Sequence, residues 1–196
     1  MYTNVHSSDS SDQLAMAAGR AIRFFAVGLL SAVVCWGGLS LLEESYWLSD
    51  LWPGLVYGSA ITVLLQKQKQ ARFRWFPVAL LLAIVVITTG WRLAIHTAIA
   101  VDGALSMVAA GAVGGISVAI AAILLQRNRH NAWRSVPILL LAGAIAAAIF
   151  DLTNHWTGRV DSDPLWALQL FATWQPLVLA VLAVVSQPQR SRLAPA

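Results

Sequence analysis

The chain has 196 residues, 58% of them hydrophobic and only 11% charged, with a formal net charge of +4. Soluble domains carry about a quarter charged residues, so this composition leaves too little polar surface for a water-soluble protein, and the length suits one domain. The basic residues lie in short segments between apolar runs rather than on a soluble module, which points to a lipid bilayer and away from nucleic acid.

Residues 1–19 are Ser/Asp-rich and predict a disordered or loosely helical tail. The first apolar run, 21–42, follows Arg20 and Arg23. It exceeds the roughly 7–15 residues of a signal core, and Glu43–Glu44 stand where a cleavage site needs small residues. It reads as an uncleaved first span, with Cys35 as a small packing residue inside it. Further runs follow at 48–66, with Pro53 in its first turn, and at 76–99, 104–126, 136–156 and 165–186. About 20 helical residues cross roughly 30 Å of hydrocarbon. Continuous runs of this length must be helices, because lipid satisfies no backbone group. The prediction is an all-α polytopic membrane protein: six transmembrane helices over residues 20–187, arranged as three sequential hairpins, with a short tail at 188–196.

Charge sets the expected orientation. Arg20, Arg23, Lys67, Lys69, Arg72, Arg74, Arg127, Arg129, Arg134, Arg190 and Arg192 share one side, eleven of the thirteen basic residues. Glu43, Glu44, Asp50, Asp102, Asp151, Asp161 and Asp163 share the other, seven of the nine acids. The positive-inside rule then puts both termini in the cytoplasm, as in a bacterial inner-membrane protein. Trp75 and Trp133 mark the inner interface; Trp47, Trp52, Trp91, Trp156 and Trp166 mark the outer one.

A repeat with a period near 60 residues is also legible. Leu64-Leu65-Gln66, a basic loop and Pro77 recur as Leu124-Leu125-Gln126, a basic loop and Pro137, with a fainter copy ending at Val184-Val185-Ser186. Its three units would point the same way through the membrane, a parallel repeat.

The chemistry-bearing residues gather at the outer ends of the third and fifth spans. Arg92 and His96 are four apart, as are Asp151 and His155, so each pair shares a helix face. Trp91 and Trp156 flank them, and Glu43 and Glu44 occupy the matching place in the first hairpin. Ionisable groups at such depth pair or line a cavity. The cluster is therefore a candidate site for a small solute or for protons. The bland alternative is an Arg92–Asp151 ion pair locking the two helices. His96 and His155 are weak candidates for a metal or haem, since no His-x-x-x-His spacing occurs. In the sixth span, Gln169, Trp174, Gln175 and Pro176 suggest either a site-lining amide with a hinge or plain interhelical hydrogen bonding. Gly111, Gly114 and Gly115 let helices approach closely, within the bundle or at a partner or homo-oligomer interface.

No phosphate-loop, nucleophile-elbow or His-Glu-x-x-His pattern is present, so neither an ATPase nor a standard hydrolase is indicated. In size and span number the chain is similar in outline to the substrate-binding subunits of vitamin-uptake transporters, a likeness that implies an outward-facing pocket and an energising partner. Three functions follow: a non-enzymatic membrane protein that binds or passes a small solute or protons, a scaffold subunit of a larger membrane complex, or a histidine-ligated redox subunit.

Overall fold

The computed structural model describes residues 6–42, 45–68, 75–126, 129–158 and 164–186. They form six helices: α1 (His6–Leu41), α2 (Tyr46–Lys67), α3 (Phe76–Ala100), α4 (Ser106–Leu125), α5 (Arg129–Thr157) and α6 (Pro164–Val185). One 3-10 turn, Gly103–Leu105, leads into α4. Every helix is long and apolar enough to cross a membrane, and no strand occurs among the described residues. The chain is a polytopic integral membrane protein.

Three boundaries differ from the sequence expectation, each for a local reason. α1 continues through the polar tail to His6, carried by the helix formers of Gln13–Ala18. At 36 residues it is about 54 Å long, well beyond the hydrocarbon thickness. α2 begins at Tyr46, so Pro53 lies inside the helix and not in its first turn. α5 begins at Arg129 and runs through Pro137. The carbonyl that Pro137 leaves without a helical partner belongs to Trp133, an exposed residue where interfacial water can serve. Gly158, at φ +64°, supplies the left-handed cap that ends α5.

The helices stand in a ring in chain order, closed by α1 against α6. The end carrying the α1–α2, α3–α4 and α5–α6 connections is the acidic end; the other is the basic end. The most extensive seams are α4–α5 and α1–α6.

Lipid tails are as apolar as leucine, so close packing rather than hydrophobicity selects helix neighbours. Glycines mark the closest of these approaches. A Cβ on Gly143 would overlap the Gly111 carbonyl oxygen, and one on Gly115 would overlap the Leu139 carbonyl oxygen, so α4 and α5 meet backbone to backbone. Gly28 of α1 lies against the Pro176 backbone of α6, and Gly58 of α2 against Ala83 and Ile84 of α3. The glycines considered for a subunit contact are therefore occupied within the chain: Gly111 and Gly115 against α5, Gly114 against Trp174.

Toward the basic end the ring is filled by Phe24, Ile61, Leu65, Ala83, Val118, Leu125, Leu139, Val178 and Leu182, which draw on all six helices. Leu30, Leu81, Leu141 and Ile145 point outward as the lipid-facing surface. At that basic end Gln126 Nε2 donates to Ser186 Oγ at 2.6 Å, joining positions sixty residues apart.

Candidate functional site

The two faces expected to form a polar cluster do not converge. α3 and α5 both pack on α4, which stands between them. Arg92 pairs with Asp50 of α2, Nη2 to Oδ2 at 2.5 Å, in place of the expected Asp151. Its guanidinium carbon also lies 5.7 Å from the Trp47 ring centroid, a cation–π distance. The reason is adjacency: α2 and α3 are ring neighbours, and Asp50 sits four residues into α2, level with Arg92 near the acidic end. His96 and His155 are exposed on separate helices, Trp156 is 78% exposed, and Asp151 is half-buried on α5. Glu43 and Glu44 lie outside the described residues. Among the described residues no three His, Cys, Asp or Glu side chains gather as a metal site would require.

This placement gives a direct prediction. The Arg92–Asp50 pair is partly exposed, 43% and 18%, so its coupling is about 0.2–1 kcal/mol. A thermal-stability double-mutant cycle on Arg92→Ala and Asp50→Ala should return that coupling. The cycle on Arg92→Ala and Asp151→Ala should return about zero, because the two residues share no partner.

The other singled-out residues, Trp91 and Gln175, lead to a different place. Both line a cavity of ≈ 120 Å³ in the acidic-end half of the ring. Its walls are Pro53 and Tyr57 of α2; Ile87, Gly90, Ala94, Ile95 and Ala98 of α3; Met107, Ala110, Gly111, Gly114 and Ser117 of α4; Ala147 of α5; and Leu170, Phe171 and Trp174 of α6. None of these residues carries a charge. Ala94, Ala98 and Ala110 give the α3 and α4 walls little side-chain bulk beside the space, whereas Gly90, Gly111 and Gly114 admit Ser117, α5 and Trp174. Trp91 stacks at a tilt on Phe171, with centroids 5.4 Å apart, and Trp174 does so on Tyr57, at 5.6 Å.

A buried polar network forms the floor. Ser31 Oγ of α1 lies 2.7 Å from Gln175 Oε1 and 2.9 Å from Gly28 O, so its single proton serves one acceptor at a time. Gln175 Nε2 donates to Cys35 Sγ at 3.4 Å, and Tyr57 Oη donates to the Gln175 carbonyl oxygen at 3.3 Å. One glutamine thus ties α1, α2 and α6 together at mid-membrane. Gln175→Leu should cost about 1 kcal/mol in a detergent melt. The Tyr57 bond, made to backbone, survives that change.

The residues that sequence reasoning passed over are Ser31, Tyr57 and Ser117. Each is a polar side chain deep in an apolar run, and in lipid such groups turn to the bundle interior; that was the available signal. The wall alanines and glycines carry no such signal.

Comparison with protein-family models, curated proteins and solved structures gives no match. The site alone therefore carries the functional argument.

Proposed function

We propose that this protein binds a small, neutral, largely apolar molecule within the bilayer, in the cavity between α2, α3, α4 and α6. The observation that carries this reading is the ≈ 120 Å³ of space within the ring, bounded by uncharged residues. Protein interiors are close-packed, and voids larger than a water molecule are few. An apolar cavity of on the order of 100–150 Å³ stays dry and accepts a benzene-sized molecule. Tyr57 is the one titratable side chain in the wall, which favours a neutral solute over a proton relay.

Binding is better supported than open passage, because the packed core from all six helices closes the basic end below the floor. By the positive-inside rule the basic end faces the cytoplasm of a bacterial inner membrane, so the cavity lies toward the outer leaflet. The Arg92–Asp50 pair lies one helical turn from two of its wall residues, Asp50 from Pro53 and Arg92 from Ile95.

Thermal melts of the purified protein against a panel of neutral five- to eight-carbon molecules test the reading. The expected result is saturable stabilisation by at least one compound, about 2.7 kcal/mol at a hundredfold excess over Kd. A flat response to every compound of that size would overturn it.

A further inference from the structure

The cavity wall changes character along the helix axes. Farthest from the acidic end stand Tyr57 of α2, Ile87 and Gly90 of α3, Ser117 of α4 and Gln175 of α6, and all five are buried. Tyr57 and Ile87 also belong to the packed core of the basic-end half, with Val118 and Val178. That end of the cavity is therefore blind. Nearest the acidic end stand Ile95 and Ala98 of α3 and Met107 and Ala110 of α4, and none of these is buried. Ala98 is two residues from the end of α3 and Met107 is the second residue of α4, so the wall reaches the α3–α4 turn, where Asp102 and Gly103 are exposed.

The length of the space is set by side chains too short to reach for it. Gly90 and Ala98 both border it and stand eight residues apart on one helix, a rise of about 12 Å. Ala110 and Ser117 border it along about 10 Å of α4. Over that length the polar residues of the wall, the indoles apart, are engaged elsewhere. The Tyr57 hydroxyl donates to Gln175 O, Ser117 Oγ donates to Val113 O at 2.9 Å, and the Gln175 amide is held by Ser31 and Cys35. A polar group carried down to that floor would lose its hydration with nothing in return, whereas at the α3–α4 turn it keeps water or lipid headgroups beside it.

We infer that the ligand is a neutral single-chain amphiphile of medium length, held tail first. Its hydrocarbon chain lies along the helices with the methyl end at Ser117 and Gln175, and its polar head stays at the α3–α4 turn. Staggered carbon–carbon bonds of about 1.5 Å advance an extended chain by about 1.3 Å per carbon, so about eight carbons run the length of the cavity. This rests on the cavity being a binding site, and it adds the ligand's class and orientation.

The test uses 1-octanol carrying a photoreactive diazirine at carbon 3 or at carbon 7. The wild-type protein is labelled in a steroid-based detergent, which has no alkyl chain to compete, and labelled residues are read by peptide mass spectrometry. The carbon-7 probe should label Tyr57, Ile87 or Gln175, the carbon-3 probe should label Ile95, Ala98 or Met107, and excess 1-octanol should remove both. Competable label on the same wall residues from both probes, or in the opposite order, overturns the orientation and leaves the cavity reading standing. No competable label on the wall from either probe overturns both. Chain length is read from competition by unlabelled alcohols at equal mole fraction in the detergent. Competition should strengthen from butanol to octanol, as each carbon fills more of the space, and then stop; a gain that continues to dodecanol overturns the medium-chain assignment.

Discussion

Gly143→Val is expected to destabilise the bundle by about 3 kcal/mol or more, enough to prevent folding of a marginal membrane protein. A Cβ at 143 overlaps the Gly111 carbonyl oxygen and comes within 3.0 Å of Gly115 Cα and N. These are backbone atoms, so no rotamer change relieves the overlap; α4 and α5 must move apart along their whole seam. The same substitution at Gly37, also within a membrane span, is the control. A Cβ there meets nothing within 4 Å, so Gly37→Val should change stability by no more than about 0.5 kcal/mol. Melting curves of the two variants in one detergent check the contrast, which depends on helix packing rather than on the lipophilicity of valine.

The second large effect is functional. Ala110→Phe should abolish stabilisation by any cavity ligand while leaving the ligand-free protein as stable as the wild type, or more so. Ala110 lies on the α4 wall, and the added ring approximately fills the ≈ 120 Å³ available. Filling a void restores dispersion contacts that the empty wall lacks, whereas overpacking a closed core would cost about 1–3 kcal/mol. The two situations are told apart by the ligand-free melt. Arg92→Ala, tested alongside, should leave the ligand response close to wild type, because Arg92 is not a wall residue and its partner is Asp50.

How much of this was legible from sequence differs between spans, neighbours and site. The spans were legible because length and hydropathy are local properties. α3 and α6 begin and end within a residue of the apolar runs. The extra turns of α1 and α5 were not, since both lie in polar sequence where hydropathy is silent about helicity. The partner of Arg92 was not legible either. Asp50 and Asp151 are both acids near the same end, and repeat register favoured Asp151. The choice belongs to the ring order, which is set by glycine-lined surfaces spread over four helices. Gln175 and Trp91 were singled out for their own chemistry, and both line the cavity. The cavity lies beside Ala94, Ala98 and Ala110, small residues that in an apolar helix read the same whether they admit a neighbouring helix or a ligand.

The central claim is that a small molecule sits between α2, α3, α4 and α6 rather than among the polar tips of α3 and α5. Photolabelling with a small diazirine-bearing cyclohexane ketone, followed by peptide mass spectrometry, tests it most directly. The account predicts label on Met107, Leu170 or Trp174, competed away by unlabelled cyclohexanone and lost in Ala110→Phe. Competable label confined to His96, Asp151 or His155, with none on α6, would contradict it.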